Sequence, residues 1–254
     1  MAIKPILFNT EMVRAILDGR KSCTRRINKD ANDYVVPDMD FYDSDKRTYA
    51  VHNYANKEHT DKLSIAERTC PICQGDILYV RETWRVGAWD IFNQMIAFDY
   101  KDGTCGELTY IHDQELFERL VNQSREDARQ AKCEYNGVDF VWEKGKSPCR
   151  WHPSIHMPKE AARIWLKVTD VRVERLQDIT EAGAEAEGAV NNIGMIHAPD
   201  NEYDHIHTAK EHFIEIWNST IKKFKKSDRD RYGWNANPWV WMIEFERCEK
   251  PEGV

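Results

Sequence analysis

The chain has 254 residues, of which 41% are apolar and 31% are charged, and its formal net charge is −7. This composition is typical of a globular protein and excludes a wholly disordered chain or a coiled coil. No apolar run approaches the roughly 18 residues of a membrane span, and the start of the chain resembles no secretory signal. We therefore expect a cytoplasmic protein with no membrane partner. The acidic balance disfavours indiscriminate coating of nucleic acid, although it permits a local basic site.

The N-terminal segment predicts a short strand at residues 5–8 and then a helix of about two turns. Asn9 or Thr10 can cap this helix, and apolar residues follow at helical spacing. Gly19 stands where a glycine commonly ends a helix. A polar run at 19–26 comes next.

Two long segments interrupt the pattern of short elements. Residues 29–68 are rich in aspartate and have poor apolar periodicity, and residues 85–149 are punctuated by glycines. The second segment contains a helical charge pattern at 114–133. Between the two, a turn at 75–76 precedes a β-rich run at 77–84. We interpret both long segments as insertions.

Regular patterning returns in the C-terminal part of the chain. Alternation over 163–175 predicts one bent strand or two. Thr180 is expected to cap a short helix through Glu187, with Gly188 ending it. Residues 191–204 are interpreted as a loop.

The clearest helix is predicted at 207–226, and the last strand at 239–245. The strands are too few and too irregularly spaced for a doubly wound sheet. We predict an α+β fold: a small mixed β-barrel with flanking helices and two long insertions. It is expected to be a single domain over 1–248 with a tail at 249–254, and its core pieces are about 1–28, 69–84, 150–190 and 205–248.

The seven cysteines are odd in number and occur in a long chain, so free thiols are expected in place of a disulfide framework. One CxxC pair resembles half of a structural zinc site, which needs two more ligands. A Cys-x2-His pair 75 residues further on could supply them and staple the ends of the second insertion. The candidate ligands are Cys70, Cys73, Cys149 and His152, with Cys133 and His156 as further candidates. The alternative is a set of reduced, partly buried thiols.

Four segments, in order along the chain, resemble motifs of the ASCH-domain family. Residues 16–26, Ile-Leu-Asp-Gly-Arg-Lys-Ser-Cys-Thr-Arg-Arg, are similar to the family's GRKTxTxR signature. Residues 75–80 resemble its GDxLxV turn and strand, and residues 176–188 resemble its L-x-x-L/I-T helix with a late glutamate. The strand at 240–245 resembles the closing strand. The whole chain is similar to a long phage and prophage branch of that family.

The resemblance implies a PUA-like β-barrel, a fold class associated with RNA. It also implies an activity, because small bacterial ASCH proteins include an amidohydrolase that removes the acetyl group of N(4)-acetylcytidine. By motif position, the functional residues become Lys21, Thr24 and Glu187. Ser22 stands where the family has a threonine, which keeps a hydroxyl group.

Amide hydrolysis needs a nucleophile, a proton shuttle and a stabilised oxyanion. Lys21 could act as a base or steady the oxyanion, and Glu187 could orient it, act as a base or protonate the leaving amine. We expect one polar cluster at the edge of a pocket. On a regular strand Lys21 and Thr24 would point to opposite faces, so the cluster requires a turn or bulge at 20–24.

Two basic stretches, residues 14–29 and 222–231, are local anomalies in an acidic chain. They could contact phosphates, with nearby aromatic side chains as stacking faces; the alternatives are a solvated helix end and tryptophans packed in a core. The side chains expected to contact nucleic acid or substrate are Arg20, Arg25, Arg26, Trp84, His156, Trp234 and Trp239.

Three functions remain open. The first is an amidohydrolase acting on an N-acylated pyrimidine nucleoside or nucleotide. The second is a non-catalytic module that binds RNA or a modified base, and the third is a ribonuclease that uses the same basic residues. No cofactor is required, although structural zinc is compatible with the cysteines. A phage-encoded protein would work in the cytoplasm of its bacterial host. The sequence does not specify an oligomeric state.

Overall fold

A computed structural model describes residues 1–29, 41–43, 48–53, 64–69, 71–196 and 205–252. The described residues form both sheets and helices, which confirms the α+β class. The strands are β1 (Ile3–Leu7), β2 (Cys23–Ile27), β3 (Phe41–Asp43), β4 (Thr48–Asn53), β5 (Ser64–Thr69), β6 (Ile77–Arg81), β7 (Trp84–Asp90), β8 (Met95–Tyr100), β9 (Thr109–Tyr110), β10 (Glu134–Tyr135), β11 (Phe140–Val141), β12 (Trp165–Arg175), β13 (Asn192–Ile196), β14 (His205–His207) and β15 (Trp239–Cys248). The helices are α1 (Thr10–Leu17), α2 (Gln114–Gln130), α3 (Glu181–Ala186), α4 (Ala209–Ile221) and α5 (Lys226–Tyr232). Of the helices in these ranges, none has the length and apolar character to span a membrane.

The chain divides into two compact units, each assembled from separate segments. The first comprises residues 1–2, 15–77 and 167–246, and the second comprises residues 3–14, 78–166 and 247–254. The second insertion lies wholly inside the second unit and carries β7 to β11 and α2.

The largest sheet has five strands in the order β1-β6-β12-β15-β2. Strand β15 runs antiparallel to β2, with Met242 opposite Arg25 and Glu244 opposite Cys23. The described pairings do not close this sheet into a barrel. Two predicted strands differ in extent: 163–175 forms the single strand β12, whereas the run at 77–84 divides between β6 and the first residue of β7.

Helix ends in the first unit follow the predicted capping residues. The hydroxyl of Thr180 accepts a hydrogen bond from the backbone of Gly183 at 3.1 Å, so α3 begins where expected. Helix α4 ends at Ile221, five residues before the predicted end at 226. Continuing the helix would place Lys222 one turn from further lysines, and like charges at that spacing destabilise a helix.

The core cluster of the first unit comprises Leu176, Ile179, Ala184, Ala189, Ala209, Phe213, Trp217, Ile221, Tyr232 and Val240.

The insertions contain more regular structure than the sequence predicts. Residues 29–68 contribute the antiparallel sheet β3-β4-β5, and the expected loop at 191–204 contains β13. In the second unit, the helical pattern at 114–133 becomes α2, whose first turn is capped by the carboxylate of Asp113.

Candidate functional site

The site begins where α1 ends. Gly19 has a φ of +74°, a left-handed conformation that favours glycine, and it reverses the chain after the helix. The backbone N–H groups of Arg20 and Lys21 then donate to the carbonyl of Ala15 at 2.9 and 3.0 Å. Lys21 pairs with Glu187 in an isolated antiparallel bridge, and β2 starts only at Cys23. The predicted break is therefore present at residues 20–22, whereas Cys23 and Thr24 already belong to the regular strand β2.

The ammonium group of Lys21 is enclosed and its side chain is fully buried. Its Nζ donates to Oε2 of Glu187 at 2.6 Å, to the backbone carbonyl of Glu187 at 2.8 Å and to the carbonyl of Cys23 at 2.7 Å. These bonds can use all three donors of an ammonium group. In this arrangement the contacts of Nζ hold Glu187 in place.

Glu187 caps the C-terminus of α3, where the helix dipole disfavours a carboxylate by about 0.3–1 kcal/mol. Two cations offset that cost. Lys21 contacts one carboxylate oxygen, and the second oxygen lies 3.3 Å from a guanidinium nitrogen of Arg25. Gly188 allows the close approach. A Cβ atom there would lie 2.8 Å from the Cβ of Ala15 and 3.3 Å from that of Lys21.

Arg25 extends the pair into a chain of alternating charges. Its Nε donates to Glu174 at 2.6 Å, and the other oxygen of Glu174 lies 3.5 Å from Arg172. Arg172 in turn donates to Glu244 at 2.7 Å. The Arg25 side chain is only 3% exposed, so it is fixed between carboxylates and is not a free surface cation.

An open cleft of about 610 Å³ lies in the first unit beside this network. Its charged lining comprises two cations and four carboxylates, namely Arg25, Arg172, Glu174, Asp178, Glu244 and Glu246. The remaining lining residues are Ser22, Cys23, Thr169, Thr180, Ala182, Gly183, Ala186, Met242 and Phe245. The cleft is thus polar and carboxylate-rich, a surface better suited to a neutral ligand than to a phosphate.

Cys23 places a thiol on the wall of the cleft. The pKa of this thiol is raised to about 12, mainly by burial; the charge of Glu187 also raises it, whereas Arg25 and Lys21 lower it. A thiolate is the nucleophilic form of cysteine. Cys23 is therefore a neutral thiol at physiological pH and not a nucleophile.

Lys21 and Glu187 come together as predicted, but Thr24 does not line the cleft with its neighbours. Thr24 is buried in β2, opposite Ile243. Adjacent strand residues point to opposite faces, and Cys23 and Arg25 are the β2 residues that line the cleft. Lys21 and Glu187 are also absent from its lining; Ser22, Gly183 and Ala186, close to them in sequence, form that wall.

The other basic residues of the first stretch differ in exposure. Arg20 is exposed and donates to the carbonyl of Gly188 at 3.1 Å and to Asp18 at 3.1 Å. Arg26 is half-buried on β2, opposite Trp241. With Lys21 and Arg25 held inside, residues 14–29 do not form the continuous basic surface that their composition indicates.

The predicted stacking residues divide between the two units. In the first unit Trp234 and Trp239 are half-buried. The ammonium of Lys210 lies 5.8 Å from the ring centroid of Trp234, and the guanidinium of Arg175 lies 4.1 Å from that of Trp239.

In the second unit Trp84 is 2% exposed and packs on Phe98 and His152, with ring centroids 5.6 and 4.7 Å apart. Its ring is therefore part of a core. His156 is exposed on a short 3-10 turn of the same unit.

The zinc prediction involves a residue outside the described ranges, Cys70. Cys73 is buried in the first unit, and Cys149 is buried in the second, where its thiol lies 3.9 Å from the carbonyl of Ser124. Burial lowers the pKa of His152, whose ring stacks on Trp84. Among the described residues no three His, Cys, Asp or Glu side chains are grouped to hold a metal ion. The zinc site stays a prediction.

Sequence reasoning missed the partner of Arg25 on β12, Glu174, and the charge network that continues from it. The signal was present, because Asp170, Arg172 and Glu174 alternate with Val171 and Val173. A period of two places the three charged side chains on one face of a strand.

The chain matches no protein-family model, no curated protein and no solved structure. The resemblance to the ASCH family therefore depends on its four sequence motifs. Within the first unit, two of these motifs contribute the paired side chains, Lys21 and Glu187.

Proposed function

We propose that the protein is an amidohydrolase that removes an acyl group from a pyrimidine nucleoside of the N(4)-acetylcytidine type. The observation that carries this proposal is the buried pair of Lys21 and Glu187. The two side chains are 166 positions apart in the sequence, yet they meet at 2.6 Å beside residues that line a cleft. A buried ion pair is costly to form, so its presence next to a cleft favours a functional role.

We also propose that the fold belongs to the PUA-like class. The four family motifs support this assignment, since they fall on α1 with β2, on β6, on α3 and on β15. Of these, β2, β6 and β15 belong to the five-stranded sheet.

The proposed reaction uses water as the nucleophile. Glu187 accepts a proton from water, the water oxygen bonds to the acyl carbon, and the C–N bond then breaks. The proton passes to the exocyclic nitrogen, which gives acetate and cytidine. Arg25 both lines the cleft and contacts Glu187, so its guanidinium is the group placed to stabilise the oxyanion.

Proton transfer requires Glu187 to lie within hydrogen-bond distance of the reacting water. Glu187 does not line the cleft in this structure, although Gly183 and Ala186 of α3 do. The proposal therefore includes a small shift of α3 on substrate binding that uncovers the carboxylate. Throughout, Lys21 keeps the carboxylate oriented through its hydrogen bond to Oε2.

The cleft fits a nucleoside in size and charge. Its volume of about 610 Å³ falls within the roughly 300–1,000 Å³ of small-molecule sites. Its carboxylates favour an uncharged ligand over a nucleotide and also weigh against a ribonuclease, which would need a track for phosphates.

Acetate release from N(4)-acetylcytidine tests the proposal. The wild type should turn the substrate over, and Glu187→Gln should reduce the rate at least ~100-fold, the usual contribution of a general base. Saturable binding of N(4)-acetylcytidine without turnover would favour the non-catalytic binding module. The absence of both turnover and binding would contradict the hydrolase and the binding module alike.

A further inference from the structure

A strongly basic surface lies on the first unit, at the end of α4 and on α5. Five cations form this surface, namely Lys222, Lys223, Lys225, Lys226 and Arg229. All five are exposed, and within the described part of the chain none has a carboxylate within ion-pair distance. Such a concentration is unexpected in a chain with a net charge of −7. A bound polyanion would relieve the mutual repulsion of these cations.

The same surface carries a groove. A hollow of about 600 Å³ is lined by Ile214, Glu215, Asn218, Ser219, Ile221, Lys222, Arg229 and Gly233. A second hollow shares Asn218, Arg229 and Gly233 with the first, and adds Asp230, Trp234, Asn235 and Ala236. The two hollows therefore adjoin, and together we call them the groove. Its lining has apolar and amide groups, the cations Lys222 and Arg229, and the carboxylates Glu215 and Asp230.

Two aromatic side chains accompany the cations. Phe224 is 38% exposed although it stands between lysines, and Trp234 lines the second hollow. Phe224 does not belong to the core cluster of the first unit. It offers a flat apolar face of the kind on which a nucleobase stacks.

We propose that this groove binds single-stranded nucleic acid. Lys222 and Arg229 at its edge, with the neighbouring lysines, contact phosphates, while Phe224 and Trp234 stack on bases. Asparagine side chains along the groove, Asn218 and Asn235, supply hydrogen bonds to base edges.

The aromatic groups distinguish nucleic acid from other polyanions. An acidic peptide would need the cations alone, whereas bases also need stacking faces and amide groups next to the phosphate contacts. The groove is separate from the carboxylate-rich cleft, since no residue lines both. This binding site therefore goes beyond the proposed hydrolase activity.

Fluorescence anisotropy with a labelled single-stranded RNA of mixed sequence, about 12 nucleotides long, tests the proposal. The test variant carries Lys222→Glu, Lys225→Glu and Arg229→Glu. The matched control carries Lys132→Glu, Lys144→Glu and Lys146→Glu, three exposed positions of the second unit that change the net charge equally. Phe224→Ala examines stacking with no change in charge.

The test variant should lose at least ~10-fold in affinity at about 100 mM salt. The slope of the logarithm of its affinity against the logarithm of the salt concentration should fall in magnitude by about 2. The control should stay within about twofold, and Phe224→Ala should lose about fivefold or more. Three results would overturn the proposal. They are equal losses of affinity in both charge variants, no RNA binding by the wild type, and displacement of the RNA by poly-L-glutamate as effectively as by unlabelled RNA. Glu187→Gln should bind RNA normally, so failure here and failure of the hydrolase are distinguishable.

Discussion

Lys21 is a charged group from which water is fully excluded, and its energy therefore depends on the partners it keeps. Taking an ammonium and a carboxylate out of water costs several kcal/mol each, and good geometry is needed to offset that cost. Lys21 has such geometry, with one carboxylate oxygen and two backbone carbonyls within 2.8 Å of Nζ. Removing either partner leaves the other charge buried.

Lys21→Met is therefore expected to destabilise the protein by about 3–5 kcal/mol, as measured by urea unfolding. Lys144→Met is the matched control, because Lys144 forms an ion pair with Glu107 in which both side chains are mostly exposed. The control should show no measurable loss. Similar stabilities for the two variants would contradict the buried, satisfied geometry of Lys21. Activity measurements on Lys21 variants must accordingly be made well below their melting temperatures.

At this scale, the sequence motifs were enough to predict that Lys21 and Glu187 meet. They did not predict that Arg25 would turn inward, because a basic residue in a polar run is usually solvated. Its burial depends on Glu174, 149 positions later in the chain. Thr24 illustrates the opposite problem, since its motif suggests a reactive hydroxyl while its place in β2 points it away from the cleft wall.

At the scale of elements, the second unit depends on carboxylates that tie loops to helices. The hairpin of β10 and β11 is held through Asp139, which accepts hydrogen bonds from Arg125 on α2 at 2.6 Å and from the indole of Trp89 on β7 at 2.8 Å. Burial of Asp139 tends to raise its pKa, but these hydrogen bonds and the charge of Arg125 bring the pKa below its ordinary value of 3.8.

The sign of the pH effect follows from that shift. Because the pKa of Asp139 is lower in the folded protein, its contribution to stability is present above about pH 4 and is lost as the pH falls through the folded value. Asp139→Asn should cost about 1–3 kcal/mol at pH 7, and this difference from the wild type should shrink below pH 4. Glu143→Gln, in an exposed pair with Lys146, is the control. A pH-independent difference would contradict the account.

Elements with local signals were the ones that could be predicted. Thr180 and Gly188 mark both ends of α3, and Asn9 and Gly19 mark those of α1, because capping is a property of a few adjacent residues. Strands β3, β4 and β5 were missed although they pair with close neighbours in the chain, since residues 29–68 have poor apolar periodicity. Strand β13 was missed in the same way, and it pairs with β14 in a segment interpreted as loop followed by helix.

At the scale of the whole molecule, charge is unevenly distributed. The cleft carries more carboxylates than cations, whereas the end of α4 and α5 carry the five exposed cations described above. A net charge of −7 conceals this separation. The two-unit organisation was equally hidden, because each unit combines segments from both halves of the chain.

The carboxylates of the cleft should determine which substrates it accepts. We expect the wild type to have a higher kcat/KM for N(4)-acetylcytidine than for its 5′-monophosphate. Glu246→Lys should reduce the ratio of these two kcat/KM values by about three- to tenfold. Glu246 is exposed on the cleft lining, so the substitution should not perturb folding. Glu249→Lys, also exposed but outside the cleft lining, is the control. Equal use of both substrates by the wild type would contradict the role of these carboxylates.

The central claim is that Lys21 and Glu187 act as one unit in hydrolysis, and a double-mutant comparison of acetate release tests it most directly. Rates with N(4)-acetylcytidine are measured for the wild type, Lys21→Met, Glu187→Gln and the double variant at a temperature where all are folded. Residues that work as a unit give non-additive losses, so the double variant should be little slower than either single one. Independent, multiplying losses, or unimpaired release by either single variant, would contradict the claim.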